Sequence, residues 1–245
     1  MRIFLECKGR MANQIAAWAK ASCRLQSILP EVTFLINYPE LADNVHLPNV
    51  EHFYGDTRDW KRFHYGEEYD GESVWEADDL WNQTIPVEAF CERVRTMQFS
   101  KLITDEVDAL MASDRFVGFH VRYGDYVKIN PKRPPVPLPP FVRANKQHFL
   151  SSLNTFNTLC PGRKLFLATD AKYKKLRWVP PHVRNRDDAN PAMDLYALSK
   201  CEFIIGSNSS FTMISAIYGD REFTIPGFTR ADLIQKCNRL IRKNA

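Results

Sequence analysis

The sequence predicts an α/β fold of two Rossmann-like halves facing one cleft. Three observations carry that expectation. Short apolar runs alternate with amphipathic stretches along most of the chain, which is the pattern of βα units on a parallel sheet. Three of those runs end in a turn rich in glycine, arginine or hydroxyl residues that opens a helical stretch or a loop. The length, 245 residues, is ample for two small domains at ~100–200 residues each.

The elements follow in order. Arg2–Cys7 reads as the first strand. Met11, Ile15, Trp18, Ser22, Leu25 and Leu29 then recur at spacings of three and four and make one face of a long helix. Val32–Ile36 is a second strand. Residues 38–85 lose periodicity and concentrate aromatics, with an acidic run from Glu67 to Asp79 that reads as solvated surface. The aromatics are expected either to form the core of a small domain or to face a ligand. A helix around Thr104–Ala112 closes the first half, so the boundary falls between residues 112 and 113, giving domains 1–112 and 113–245.

Arg115–Val121 opens a second βα series. A loop from Pro131 to Pro140 holds six of the fifteen prolines and is expected as a mobile rim element. Phe149, Leu153, Phe156 and Cys160 mark a helix, Lys164–Ala168 a strand ending at Thr169-Asp170, and Met193–Lys200 a short helix. Phe203–Ile205 is a strand, Ser209–Tyr218 a helix after the Gly206 turn, and Glu222–Ile225 a last strand. Leu233, Cys237, Leu240 and Ile241 line a closing helix.

Composition excludes several function classes. At 44% hydrophobic and 25% charged residues the chain is an ordinary globular one. A net charge of +4 is too mild for a nucleic-acid-binding footprint, and suits a small anionic ligand held by a few arginines. No stretch approaches the ~20 apolar residues that span a bilayer, and the N-terminal apolar run is too short for a signal peptide. The six cysteines form no CxxC pair; they read as buried thiols of a reducing, cytoplasmic protein. No GxxxxGK[ST], GxGxxG, GxSxG or DxD motif is present, and no metal site is expected.

The three turns are the candidate site, because ligands of open α/β sheets bind outside the carboxyl ends of the strands. In Gly9-Arg10-Met11-Ala12-Asn13-Gln14, Arg10 adds a cation at a helix N-terminus beside the amides of Asn13 and Gln14. In His120-Val121-Arg122-Tyr123-Gly124-Asp125, the guanidinium of Arg122 can grip a phosphate bidentately. A salt bridge from Arg122 to Asp125 over a satisfied core His120 is the structural alternative. In Gly206-Ser207-Asn208-Ser209-Ser210-Phe211-Thr212, a glycine turn and adjacent hydroxyls open a helix. Ser209 or Ser210 serves as N-cap, phosphate ligand, or both.

Taken in order, these pieces resemble the fucosyltransferase superfamily of α-1,2- and α-1,6-fucosyltransferases and protein O-fucosyltransferases. Gly9-Arg10-x-x-Asn13-Gln14 resembles the GRxGNQ turn, His120-x-Arg122-x-Gly124-Asp125 the HxRRGD signature, and Ile205-Gly206 with Ser209-Ser210-Phe211-Thr212 the IGxxxSSFT region. Phe166–Asp170 and Asp194–Ser199 resemble the family's acidic-ended strand and its DLYLMS helix. The resemblance implies a GT-B fold, GDP-fucose as donor with a glycan as acceptor, no metal or other cofactor, and inversion at the anomeric carbon. It gives Arg122 the donor pyrophosphate and places Arg10 and Asn13 beside the donor. It sets Ser209, Ser210 and Phe211 at or under the phosphate, with His120 and Asp170 among the donor-binding residues. Asp125 is the nearest candidate general base, with Glu6 as the alternative. Tyr123 stands where the family has a second arginine, Ala12 replaces a glycine, and Met213 replaces a tryptophan. These departures leave open another nucleotide sugar, or a non-catalytic binder of the same fold.

Overall fold

The computed structural model describes residues 1–6, 11–25, 29, 31–55, 61–62, 72–76, 85–122, 146–170, 177–184, 191–226 and 231–236. The chain divides into two compact units, Met1–Ile103 and Thr104–Ala245.

The first unit is built on a parallel sheet. β1 (Arg2–Glu6), β2 (Thr33–Ile36), β4 (Val50–His52), β5 (Lys61–Arg62) and β6 (Glu72–Glu76) lie in the order β4-β2-β1-β6-β5. β1 is central, with Ile3 and Leu5 buried, and pairs in parallel with β2 on one side and β6 on the other. Helix α1 (Met11–Leu25) follows it and is buried on more than one face: Met11, Ile15, Trp18, Ser22 and Leu25 are joined by Ala12, Ala16, Ala17, Ala19 and Ala21. That run of small residues lets the helix approach its neighbours closely. α2 (Pro39–Ala42), the antiparallel pair β3 (Val45–His46) and β7 (Gln98–Phe99), and α3 (Val87–Arg95) complete the unit.

Two expectations need correction here, and one element was not foreseen. The acidic stretch Glu67–Asp79 is not simply solvated surface: Glu72–Glu76 is strand β6, in register with all five residues of β1, and Trp75 is 1% exposed. Residues 38–85 are not without regular structure, since they carry α2 and strands β3 to β6. Helix α3 has no counterpart in the sequence reading. Its N-cap Pro86 offers no side-chain cap and only Val94 is buried, so it left little local signal. Of the aromatics in this region, Trp75 is core and Phe53 packs edge-on against Phe4 at 5.9 Å, while Tyr54 is exposed.

The division between units falls inside α4 (Lys101–Met111), upstream of the 112/113 boundary read from the sequence. Most of α4 is tied into the second unit, for Asp108 pairs with Lys200 at 3.1 Å and accepts from Tyr196 Oη at 3.4 Å.

The second unit holds four parallel strands in the order β11-β10-β8-β9: β8 (Phe116–Val121), β9 (Lys164–Thr169), β10 (Phe203–Gly206) and β11 (Glu222–Thr224). β8 is central and buried at every residue. Its alternation sends Val117, Phe119 and Val121 into a cluster with Phe149, Leu153 and Phe156 of α5 (Lys146–Leu159) and with Leu165, Leu167, Phe203 and Ile205. The intervening Gly118 meets α6 (Pro191–Lys200): a Cβ there would press on Leu198 and on Sγ of Cys201. α7 (Ser210–Gly219) links β10 to β11, and residues 231–236 are helical. The Pro131–Pro140 loop lies outside the described residues. Among the described residues no helix is long and apolar enough to cross a membrane, and Cys23, Cys91, Cys160 and Cys201 are free thiols.

Candidate functional site

Three adjacent strands of the second sheet end together. In the ladder His120 lies beside Ala168 on one side and Gly206 on the other, and Val121 beside Thr169. One residue further on, Arg122, Asp170 and Ser207 therefore leave the sheet side by side at its carboxyl edge. The Thr169 hydroxyl donates to the Val121 carbonyl at 2.6 Å and closes β9 onto β8 at that point.

The Ser207–Thr212 turn is clasped to the end of β8. The N–H of Ser207 donates to the His120 carbonyl at 2.9 Å, and the N–H of Arg122 donates to Ser207 Oγ at 3.1 Å. Ser209 is the N-cap of α7: its backbone is extended, and its hydroxyl accepts from the N–H of Thr212 at 3.4 Å. The positive end of the α7 dipole thus lies at the same edge as Arg122. Gly206 permits the tight approach, because a Cβ there would overlap the Thr212 side chain.

His120 is 6% exposed, stacks on the Phe211 ring with centroids 4.7 Å apart, and has Nδ1 2.8 Å from Thr212 Oγ1. Burial, and then the charge of Arg122, lower its pKa to about 3, against a smaller opposing pull from Asp170. The imidazole is neutral at physiological pH. Burial likewise lowers His148 on α5 to about 4. Both groups take up protons in the unfolded chain below its ordinary value of ~6.5 and resist doing so when folded. Stability is expected to be flat above that pH and to fall as the pH drops from there toward the folded values, because the unfolded state then binds more protons. Denaturant midpoints measured between pH 8 and pH 4 check this, and a midpoint that rises on acidification contradicts it.

The structure thus brings together six of the predicted residues: His120, Arg122, Asp170, Ser209, Ser210 and Phe211. His120, Ser209 and Thr212 are buried, Arg122, Ser210 and Phe211 half-buried, and Asp170 exposed. Asn13, in the first turn of α1, belongs to the other unit and is half-buried. Arg10, Asp125 and Tyr123 lie outside the described residues, as does any Arg122–Asp125 pair; Glu6 is the last residue of β1. Sequence reasoning missed Ser207 and Thr212 as members of the site. The hydroxyl directly after the strand-ending glycine was the available signal. Among the described residues no group of His, Cys, Asp and Glu is arranged to hold a metal ion.

A hollow of about 500 Å³ lined by Val117, Leu153, Arg163, Lys164, Pro181 and His182 opens elsewhere in this unit, toward the amino ends of β8 and β9. It is the less suitable ligand site. It lies at the wrong end of the strands, and its Arg163 and Lys164 are already paired with Glu202 at 2.8 Å and Asp114 at 2.6 Å.

No protein-family model matches the sequence, and no curated protein sequence matches it. Solved structures do share the fold. POFUT1 in complex with GDP is similar at a TM-score of 0.59 and 13% identity, over 93% of this chain and 98% of that one. NodZ α-1,6-fucosyltransferase soaked with GDP-fucose gives 0.58 and 15%, over 89% and 92%. Fucosyltransferase NodZ from Bradyrhizobium gives 0.57 and 15%, over 87% and 91%. The chain therefore has a fucosyltransferase-like α/β fold of the GT-B class.

Proposed function

We propose that this chain is an inverting, metal-independent glycosyltransferase that moves fucose from GDP-fucose to a glycan. The observation that carries the reading is the carboxyl edge of the second sheet, where Arg122 and Asp170 leave the strands beside the Ser207–Thr212 turn and the positive end of α7. A cation and a helix N-terminus at one strand edge support a pyrophosphate as the ligand. The structures of similar fold, POFUT1 and NodZ, hold GDP or GDP-fucose, which supports a guanine nucleotide here.

In the proposed reaction an acceptor hydroxyl oxygen attacks the anomeric carbon from the face opposite the nucleotide. The bond from that carbon to the β-phosphate oxygen breaks, and its electron pair leaves with GDP. Arg122 meets the charge that develops on the leaving oxygen, and the α7 N-terminus and Ser209 and Ser210 assist it. One such preorganised donor is typically worth ~10²–10³ in rate. Asp125 takes the acceptor proton, with Glu6 as the alternative base; such a base contributes ~10²–10⁴. Asp170 serves the nucleoside, and Arg10 and Asn13 are assigned to the donor. No metal or other cofactor is invoked. Four free thiols among the described cysteines support a reducing, cytoplasmic setting.

Tyr123, in place of a second arginine, favours one further reading, a different nucleotide sugar. A thermal-shift panel of GDP, UDP, ADP and dTDP in EDTA decides between them. GDP is expected to stabilise most, by about 2.7 kcal/mol at ~100 times its Kd. A larger shift with UDP, ADP or dTDP overturns the choice of donor. A tenfold gain in GDP affinity on adding magnesium or manganese overturns the metal-free mechanism. Release of GDP from GDP-fucose only when a glycan acceptor is present separates a transferase from a binding protein.

A further inference from the structure

We propose that Thr212 is a positioning residue that fixes His120 as the tautomer protonated on Nδ1, and so keeps Nε2 as a bare acceptor for an N–H or O–H group of the ligand. The role of that acceptor in ligand binding rests on the nucleotide-sugar reading above; the tautomer itself does not.

The argument is one of proton accounting. Thr212 Oγ1 is 2.8 Å from the Ser207 carbonyl oxygen and 2.8 Å from His120 Nδ1. A carbonyl only accepts, so the single hydroxyl proton of Thr212 goes to Ser207. The hydroxyl then has only lone pairs to offer His120, and Nδ1 must carry the proton. The reverse arrangement would press two oxygen lone pairs together at 2.8 Å in a fully buried place, where an unsatisfied polar contact costs about 1–3 kcal/mol. Ser209 Oγ, 3.4 Å from the same nitrogen, already accepts from the Thr212 N–H and presents a second acceptor to Nδ1. Stacking on Phe211 sets the plane of the ring, and the bond to Thr212 sets its rotation within that plane.

The ring is neutral in this setting, so the choice of nitrogen decides what it can do. With the proton on Nδ1, Nε2 presents a lone pair, and the position recognises a hydrogen-bond donor. With the other tautomer the same position would recognise an acceptor. Thr212 is wholly buried and does not reach solvent. Its effect on a ligand would pass entirely through His120 and through Ser207, which also accepts from the N–H of Arg122.

The test uses the full chain and long-range nitrogen–proton NMR of the imidazole rings. His120 is identified by the signal lost in His120→Gln. The wild type is expected to show Nδ1 protonated and Nε2 bare, and Thr212→Ser to keep that pattern. Thr212→Val, equal in shape but without the hydroxyl, is expected to move the proton to Nε2 or to mix the two forms. Its GDP affinity should fall about three- to tenfold, the worth of one neutral hydrogen bond, and Thr212→Ser should restore it. Protonation of Nε2 in the wild type, or an unchanged tautomer in Thr212→Val, overturns the proposal. A shifted tautomer with unchanged GDP affinity overturns the positioning role. If the wild type binds no GDP, the functional reading fails, and the NMR pattern still decides the tautomer.

Discussion

Arg122→Lys is expected to lower turnover of GDP-fucose by ~10²–10³ while leaving the fold intact, the loss associated with removing one preorganised electrostatic stabiliser. The substitution keeps a positive charge. What it removes is the planar fork that engages two phosphate oxygens at once, and lysine offers only a compact, strongly hydrated ammonium. The position makes the expectation sharp. Arg122 leaves the sheet between Asp170 and Ser207, and its own N–H is held by Ser207 Oγ, so the backbone from which the side chain starts is fixed. GDP affinity should drop as well, because the grip is already made to the ground-state diphosphate. Activity, GDP affinity and melting temperature are measured together on Arg122→Lys and Asp125→Asn. Near-normal turnover in the first variant removes Arg122 from the mechanism. Matching losses of stability in both, with turnover spared, would assign the pair a structural role.

Phe119→Ala is expected to destabilise the second unit by about 3–5 kcal/mol, the range for emptying a buried aromatic site. Phe119 is wholly buried on the central strand of that sheet, 5.3 Å from the Phe149 ring and within the cluster of Phe156, Leu167 and Phe203. Its neighbours come from three strands and a helix. They cannot all close on the void, so most of the cavity penalty persists. Phe119→Leu should cost less, because it leaves a smaller space. The readout is the denaturant midpoint of the second unit at constant slope, and a loss below 1 kcal/mol for Phe119→Ala would show that the cluster relaxes freely.

How far the sequence disclosed this molecule depended on whether the information was local. β1, α1, β8, β9, β10 and α7 were legible because an apolar period or a strand–turn–helix junction is written into consecutive residues. The site was legible to the extent that it consists of strand ends and chain turns: His120, Arg122, Asp170 and Ser209–Phe211 were all marked by their place at the end of a strand or just after it. β6 was not. Val74 and Trp75 are adjacent rather than alternating, and acidic residues flank them, so nothing local signals a strand; pairing with β1 some seventy positions earlier supplies it. The contact between His120 and Thr212 was hidden for the same reason. Both residues stood in recognised motifs, yet the bond spans 92 positions and follows from the register of β8 against β10.

The segment around Val183 has a consequence for how the protein meets other copies of itself. Val183 donates its N–H to the Leu165 carbonyl and accepts from the N–H of Leu167, both at 2.8 Å, and so occupies the outer edge of β9. The contact is a single bridge, preceded by Pro180 and Pro181, which have no N–H to extend a ladder. β9 is paired with β8 on its inner side, and its outward N–H and C=O groups would otherwise be unpaired, the template on which sheets of separate molecules join. Among the described residues this strip covers the edge at one bridge and carries no ladder of its own. At the opposite end of the sheet β11 is only three residues long, with Lys236 drawn to Glu222 beside it. Intermolecular strand addition along β9 therefore requires the Val183 segment to be peeled away first, so the two prolines and one valine act as a guard on colloidal behaviour while contributing little to the core.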